Sequence, residues 1–216
     1  MTDSQPLAPR LVDGHGRVHR DLRISLTDHC NLRCSYCMPA EGVAWIARDT
    51  LLTPAELMRL VRVGVNLGVT EVRLTGGEPL LRPDVVEIVA RIAALTRPDG
   101  GHPEVSMTTN GIGLARLAEP LFDAGLKRVN VSLDTLRPDR FLALTRRDRL
   151  TDVLAGLDAA VDAGLAPIKV NSLLMRGVND DEAVELVRWA VGEGHELRFI
   201  EHMPLDAGHT WKRSEM

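Results

Sequence analysis

The sequence is poor in cysteine and in aromatic side chains, and its N-terminus has no long apolar run. Aromatic residues make up 3% of the chain, which leaves few stacking surfaces for single-stranded nucleic acid. A formal net charge of −4 argues against a general polyanion binder. The first 20 residues contain no apolar segment of the kind found in signal peptides or membrane spans. We therefore predict a cytoplasmic protein with neither a nucleic-acid nor a membrane partner.

The three cysteines of the chain lie within one short segment, as Cys30, Cys34 and Cys37. Their number is odd, so they cannot all form internal disulfides, and free thiols fit a reducing cytoplasm. Three thiolates at this spacing favour an iron–sulfur cluster or zinc. Structural zinc takes four ligands, whereas three cysteines on a four-iron cluster leave one iron open for chemistry. We predict a [4Fe–4S] cluster, interpret the adjacent His29 as a bystander, and keep a zinc module without enzymatic activity as the alternative.

A unit of helix, glycine and short β-rich segment repeats along the chain. The first helix is expected over 53–67, where Thr53 and Glu56 form a capping box and Pro54 takes the first helical position. The last helix is expected to begin with Asn179 as its cap, and glycines after the helices supply the left-handed conformation. Six strands are expected, at 22–27, 71–75, 105–109, 128–134, 168–174 and 196–203. This alternation predicts parallel strands with helices packed outside.

The expected strands alternate apolar and polar residues, although strands of a parallel sheet are usually apolar throughout. The apolar face must meet the helices, so the polar face would line the interior of a curved sheet. Arg23, Arg73 and Lys169 fall on that inner face and favour a water-filled cavity that binds an anionic ligand. The alternatives are an open sheet with one solvated face, and pairing of these cations with internal carboxylates such as Asp134. Two further pairs of basic residues are expected on solvated faces: Lys127-Arg128 and Arg146-Arg147.

Several segments together resemble the radical S-adenosylmethionine (SAM) superfamily. The cysteine segment has Tyr36 just before its last cysteine, and Gly76 and Gly77 begin a Gly-Gly-Glu-Pro motif at the end of the second expected strand. Within the superfamily, the chain is similar to the GTP 3′,8-cyclases of molybdenum cofactor biosynthesis. The similar segments are 27–39 (TDHCNLRCSYCMP), 73–80 (RLTGGEPL), 108–111 (TTNG), 130–134 (NVSLD) and 198–203 (RFIEHM).

The resemblance implies an α/β fold, a partial (β/α)6 barrel similar to an incomplete TIM barrel. It implies a [4Fe–4S] cluster held by Cys30, Cys34 and Cys37, with SAM bound to the open iron. One electron from the cluster would cleave SAM, and the 5′-deoxyadenosyl radical would abstract hydrogen from C3′ of GTP. The C3′ radical would then attack C8 of guanine. The implied activity is that of a lyase, which forms (8S)-3′,8-cyclo-7,8-dihydroguanosine 5′-triphosphate in the first step of molybdopterin biosynthesis.

The resemblance also assigns roles to individual positions. Those that match SAM contacts of the family are Tyr36, Gly77, Ser132 and Met203. Those that match its GTP contacts are Arg23, Arg73, Thr108 and Lys169. Glycine lacks a Cβ, so its backbone can approach a cofactor closely, and cations on inward-facing strand positions suit a triphosphate.

The family carries a second [4Fe–4S] cluster in a C-terminal extension, with three further cysteines and a Gly-Gly tail, and this sequence contains neither. We expect residues 1–20 to be a loosely ordered N-terminal tail, 21–205 the barrel core, and 206–216 the start of a truncated extension. The alternatives to a working cyclase are an inactive fragment or paralogue, and a radical SAM enzyme that acts on a peptide or another small molecule. The expected partners are GTP, a flavodoxin- or ferredoxin-like electron donor, and cyclic pyranopterin monophosphate synthase as the next enzyme, with a homodimer as one option.

Overall fold

The computed structural model describes residues 10–203, and within that range helices and strands alternate. The strands are β1 (Asp21–Ser25), β2 (Glu71–Thr75), β3 (Glu104–Thr109), β4 (Leu126–Ser132), β5 (Ile168–Leu173) and β6 (Glu196–Ile200). The helices are α1 (Pro54–Asn66), α2 (Val85–Ala93), α3 (Leu114–Asp123), α4 (Pro138–Thr145), α5 (Leu150–Asp162) and α6 (Ala183–Gly192). Of the predicted terminal segments, residues 1–9 and 206–216 lie outside the described range.

The strands form one parallel sheet in which each strand lies beside its neighbour in sequence, from β1 to β6. Parallel neighbours need a crossover connection, and the intervening helices supply it. Among residues 10–203, β1 and β6 each pair with one neighbour only, so the sheet is an open, partial barrel. The predicted α/β partial barrel is confirmed. No helix within residues 10–203 combines the length and the apolar character needed to cross a membrane.

The alternation of residues along the strands separates the two faces of the sheet. Val72, Leu74, Val131 and Val170 are fully buried in the apolar core that includes the helices. Burying a side chain of this kind contributes about 1.5–3 kcal/mol to folding. On the other face, the strand register aligns two polar rows, Arg23–Arg73–Ser106–Arg128 and Thr108–Asn130–Lys169–Glu196. The inner face of the partial barrel is therefore polar.

The predicted start of α1 is confirmed, whereas that of the last helix is wrong. Thr53 Oγ1 accepts from the Glu56 N–H at 3.3 Å, and the Glu56 carboxylate accepts from the Thr53 N–H at 2.9 Å. Asn179 makes no capping bond, because its side chain is bonded to the backbone of Met175, Asp134 and Leu173. A short 3-10 turn over Asp180–Glu182 follows it, and α6 begins only after that turn. Glycines with positive φ follow four of the helices: Gly68, Gly125, Gly164 and Gly194.

The described part of the expected N-terminal tail has a defined conformation. Val12 and Val18 form an isolated antiparallel bridge. The backbone N–H of Leu11 donates to the carbonyl of Leu67, at the end of α1, over 3.2 Å. This turn therefore lies against the first helix rather than extending away from the domain.

Candidate active site

The three cysteines lie in the loop after β1, at the carboxyl end of the sheet. This edge is where parallel α/β folds form their ligand sites. Cys30, Cys34 and Cys37 line one cavity of about 210 Å³. The remaining walls include residues from the ends of the next three strands: Thr75, Gly76, Gly77, Thr108, Thr109, Asn110, Ser132, Asp134 and Thr135. The fold thus brings the segments that carry the sequence motifs to a single cavity.

Burial keeps the thiols protonated in the metal-free protein. Desolvation raises the pKa of Cys30 and of Cys37 above the ordinary value. Desolvation, with the nearby charge of Asp134, raises the pKa of Cys34 to about 12. A metal centre takes thiolates as ligands, so its assembly here must displace these protons.

Two glycines after β2 allow the backbone of the cysteine loop to pack against this strand end. The Gly77 N–H donates to the Thr27 carbonyl at 2.7 Å. A Cβ at position 77 would lie 2.2 Å from the carbonyl oxygen of Asp28, and one at Gly76 would lie 2.3 Å from that of Thr27. Gly76 also has a φ of 137°, which side chains of L residues rarely permit. Only glycine fits at these two positions.

Glu78 is fully buried and connects the strand ends to the cysteine loop. Its carboxylate accepts from the N–H groups of Leu80 (2.9 Å) and Asn110 (2.7 Å). It also accepts from the Thr109 hydroxyl at 2.7 Å. Burial raises the pKa of Glu78 to about 7, while these donors oppose the shift by stabilising the carboxylate. The Asn110 amide in turn donates to Asn31 Oδ1 at 2.7 Å, inside the loop.

Tyr36 is fixed on the opposite side of the cavity by a buried carboxylate. Its hydroxyl donates to Asp134 Oδ2 at 2.5 Å, and the Leu173 N–H donates to Asp134 Oδ1 at 2.8 Å. The buried Asn179 amide donates to the carbonyls of Asp134 and Leu173, both at 2.8 Å. Burial raises the pKa of Asp134, and the Tyr36 hydroxyl lowers it. Asn179 therefore supports the end of β5 instead of capping a helix.

The residues predicted to contact SAM lie around two adjoining cavities. Tyr36, Gly77 and Ser132 line the cavity that contains the cysteines. Met203 lines a second cavity, of about 220 Å³, whose walls also include Tyr36 and Ser132. The structure brings these four positions together, and their contact with SAM stays a prediction.

The residues predicted to contact GTP all lie on β1, β2, β3 and β5, but at two depths. Arg23 and Arg73 are register partners on adjacent strands. Thr108 and Lys169 belong to the next polar row, nearer the carboxyl end of the sheet. Of the four, Thr108 lines the cysteine cavity.

Two of these cations are paired with carboxylates from the same face. Arg73 Nη2 lies 2.8 Å from Glu71 Oε1, and Lys169 Nζ lies 3.2 Å from Glu196 Oε2. The alternative of internal ion pairing is therefore realised at these positions. Its proposed partner, Asp134, is wrong, because that carboxylate lies beyond the cation rows and is occupied by Tyr36 and the backbone of β5.

Two arginines expected on solvated faces are half-buried instead, whereas their neighbours Lys127 and Arg147 are exposed as expected. Arg128 is bonded to Glu71 and to Glu104, each at 2.5 Å, and its side chain is 13% exposed. Its place in the alternating pattern of β4, two residues before Asn130, is the signal that could have identified it. Arg146 donates to backbone carbonyls of the cysteine loop, and nothing in the sequence pattern indicates that contact.

The described residues contain no group of three or more His, Cys, Asp or Glu side chains arranged to hold a metal ion. A cubane cluster makes a different demand from a single ion, since each cysteine binds a different iron. Three thiols that line one cavity meet that demand. The residues present therefore fit a cluster held by three cysteines.

A parallel partial barrel whose first loop offers three thiols to a shared cavity defines a class of iron–sulfur proteins. The family model of the Radical SAM superfamily matches residues 24–190. The chain belongs to the radical SAM superfamily. Membership implies a [4Fe–4S] cluster and SAM as cofactors.

Curated relatives are similar over most of this chain. It is 63% identical over 207 residues to the GTP 3′,8-cyclase of Streptomyces coelicolor, covering 95% of this chain and 60% of the relative. It is 56% identical over 209 residues to the GTP 3′,8-cyclase of Paenarthrobacter nicotinovorans, covering 95% of this chain and 57% of the relative. The chain thus spans between 57% and 60% of the length of these two relatives.

Solved structures share the fold at low sequence identity. Streptococcus suis SuiB bound to S-adenosylmethionine matches with a TM-score of 0.66 and 18% identity, over 85% of this chain and 41% of that chain. Native anSMEcpe with bound AdoMet matches with a TM-score of 0.66 and 17% identity, over 85% of this chain and 51% of that chain. These likenesses support the partial barrel described above.

Proposed function

We propose that this chain is the radical SAM barrel of a GTP 3′,8-cyclase and acts in molybdenum cofactor biosynthesis. The observation that carries the proposal is the set of cations on the inner face of the sheet: Arg23 and Arg73 on β1 and β2, whose ends form part of the cysteine cavity, and Lys169 on β5. The high identity to curated GTP 3′,8-cyclases supports the same substrate.

The cofactors would occupy the carboxyl edge of the sheet. Cys30, Cys34 and Cys37 would hold the cluster, and the adjoining positions Tyr36, Gly77, Ser132 and Met203 would hold SAM. When bound, the reduced cluster would supply the electron for reductive cleavage of SAM, the chemistry that would start hydrogen abstraction from C3′ of GTP. Gly77 keeps backbone close to this space because it has no Cβ. The Asp134–Tyr36 bond fixes the loop that carries the last two cysteines.

The depth of the polar rows supports one orientation of GTP. Arg73 is the register partner of Ser106, two residues before Thr108 on the same strand. Two residues of strand span roughly 7 Å, so Arg23 and Arg73 lie deeper than Thr108. The triphosphate would bind the deeper guanidinium groups, which suit bidentate phosphate contacts. The ribose would then lie near Thr108, beside the cysteine cavity.

The carboxylates of the inner face hold the cations in place before substrate binds. Glu71 bonds both Arg73 and Arg128, and Glu196 bonds Lys169. Because Arg73, Arg128 and Lys169 are already paired, burial of their charges is compensated in the free protein, whereas Arg23 is exposed on the edge strand. A triphosphate would compete with these carboxylates for the same donors.

The remaining partners are part of the proposal. A flavodoxin- or ferredoxin-like protein would supply the electron, and cyclic pyranopterin monophosphate synthase would use the product. A cytoplasmic location, a homodimer and a second [4Fe–4S] cluster outside this sequence are likewise proposed on the family resemblance. All cysteines of the chain itself lie in the loop after β1.

The proposal is tested by formation of 5′-deoxyadenosine from SAM, with the anaerobically reconstituted chain and a chemical reductant, with and without GTP. We expect GTP to stimulate the reaction. In Arg73→Gln, the loss of a charge-assisted hydrogen bond costs about 1.5–3 kcal/mol, which raises the GTP concentration for half-maximal stimulation by about 10- to 100-fold. Arg188→Gln, an exposed position on α6, is the matched control and should behave as the parent chain.

The other outcomes separate the alternatives. SAM cleavage that is indifferent to GTP would favour a radical SAM enzyme with a different substrate. No cleavage from a chain that contains about four irons and four sulfides would favour the inactive fragment or paralogue. One bound zinc in place of iron would favour the metal module.

A further inference from the structure

Arg146 occupies an unusual position at the end of α4. It is the C-cap residue of that helix, with φ 57° and ψ 26°, and it is the sole non-glycine residue with positive φ within residues 10–203. A left-handed conformation is unfavourable for a residue with a long side chain, and such conformations cluster at functional sites. Glycines take the left-handed positions after α1, α3, α5 and α6, so the fold uses glycine at these other helix ends.

The side chain that this conformation presents reaches into the cysteine loop. Arg146 Nη1 donates to the carbonyl of Arg33 at 2.8 Å and to the carbonyl of Met38 at 3.1 Å. These two carbonyls flank the segment that contains Cys34 and Cys37. One guanidinium group therefore joins the start and the end of the segment that carries two of the three predicted cluster ligands.

Backbone carbonyls at the same helix end also bind the cysteine loop, in addition to the Arg146 side chain. The Arg33 N–H donates to the Thr145 carbonyl at 3.0 Å, and the Ser35 N–H donates to the Leu144 carbonyl at 2.8 Å. These carbonyls belong to the last turn of α4, where intrahelical partners are missing. The last turn of α4 and Arg146 thus make a continuous set of bonds to the loop.

We propose that Arg146 is a positioning residue that holds the cysteine loop in the conformation needed to keep the cluster. It acts through the carbonyls of Arg33 and Met38, and it does not contact SAM or GTP in this role. Its positive charge also favours the more negative, reduced form of a cluster ligated by three thiolates. The inference depends on cluster binding by the radical SAM family and is independent of the choice of substrate.

Two substitutions remove the Arg146 side-chain contacts and still allow the left-handed backbone conformation at this position. Arg146→Gly and Arg146→Asn both tolerate a left-handed helix end, and neither can reach the loop carbonyls. Arg147→Gly is the matched control, because the exposed Arg147 side chain donates only to the carbonyl of its neighbour among the contacts described here. Arg146→Lys retains the charge and serves as the conservative variant.

The readout is the rate at which the reconstituted, anaerobic protein loses iron to a ferrous chelator. We expect Arg146→Gly and Arg146→Asn to lose iron at least about 10-fold faster than the parent chain, which corresponds to about 1.4 kcal/mol. Arg147→Gly should stay within about twofold. Wild-type rates of iron loss in both Arg146 variants would overturn the proposal. If one of the variants fails to fold, as judged by circular dichroism of the apoprotein, the other decides.

The midpoint potential of the cluster is a second readout. It should depend on the charge at position 146, which a purely structural role would not require. We expect a more negative potential in Arg146→Asn and a return toward the parent value in Arg146→Lys. An unchanged potential in Arg146→Asn would remove the electrostatic part of the proposal. Faster iron loss in Arg147→Gly equal to that of Arg146→Gly would overturn the assignment to Arg146.

Discussion

Replacing Gly77 with alanine tests whether close backbone packing behind the cysteine loop is needed for cluster binding. The new Cβ would lie 2.2 Å from the carbonyl oxygen of Asp28 and 2.4 Å from that of His29, so the loop must move. Two main-chain hydrogen bonds cross this junction, from the Gly77 N–H to Thr27 and from the Glu78 N–H to His29, both at 2.7 Å. We expect both to be lost.

The magnitude follows from these contacts. Each lost hydrogen bond costs about 1 kcal/mol, and overpacking adds about 1–3 kcal/mol. A total of about 3–5 kcal/mol is a large fraction of the stability of an ordinary domain, which is about 5–15 kcal/mol. In a chain of this length, it corresponds to a fall in Tm of about 6–20 °C.

The assay is thermal unfolding of the apoprotein followed by circular dichroism, together with iron content after anaerobic reconstitution. Gly192→Ala is the matched control, because a Cβ at this last position of α6 meets no atom within 4 Å. The control should unfold at the parent temperature or slightly above it, because alanine favours a helix more than glycine does, and it should bind iron normally. A Gly77→Ala protein that unfolds within about 2 °C of the parent and binds iron fully would show that the loop does not need glycine at this position.

Three further predictions concern titratable groups around the cavity. First, iodoacetamide at pH 8 should alkylate the exposed Cys37 of the apoprotein faster than Cys34, because the pKa of Cys34 is raised to about 12. Mass spectrometry measures both rates, and equal rates would contradict the burial of Cys34. Second, burial raises the pKa of Glu78 from 4.5 to about 7, so the folded state holds the proton more tightly than the unfolded state. The parent protein should therefore lose stability, compared with Glu78→Gln, as the pH rises from about 4.5 to about 7. Thermal unfolding of both proteins across that range checks the sign, and a pH-independent difference would contradict it. Third, Tyr36→Phe leaves one buried oxygen of Asp134 without its donor and should lower the free energy of unfolding by about 1–3 kcal/mol. Urea denaturation measures this change, and an unchanged urea midpoint would show that the bond does not stabilise the fold.

Much of the fold could be predicted because the signals are local. The capping residues Thr53 and Glu56 and the glycines at helix ends fix where helices begin and end, and strand alternation separates the two faces of the sheet. Asn179 shows where local reading fails. Its side chain bonds to carbonyls of β5 and of the segment after β4. These partners are distant in sequence, so the local pattern of a helix cap could not reveal them.

The candidate site could be predicted in part for the same reason. The cysteines and the Gly-Gly pair are contiguous motifs, and the structure brings them to one cavity. For Arg128 and Arg146 the sequence predicts exposed positions, because adjacent basic residues usually lie on exposed faces. Their partners, Glu71 and Glu104 for Arg128 and two loop carbonyls for Arg146, are set by strand register and by the end of α4. Neither partner is visible in the local sequence.

We propose above that this barrel holds C3′ of GTP beside a cluster bound by Cys30, Cys34 and Cys37. The most direct measurement uses the reconstituted chain, SAM, reductant and GTP deuterated at C3′, with mass spectrometry of the 5′-deoxyadenosine formed. We predict that one deuterium is transferred, and that Cys34→Ala forms no 5′-deoxyadenosine. Unlabelled 5′-deoxyadenosine formed at the same rate with and without the deuterated GTP would contradict it.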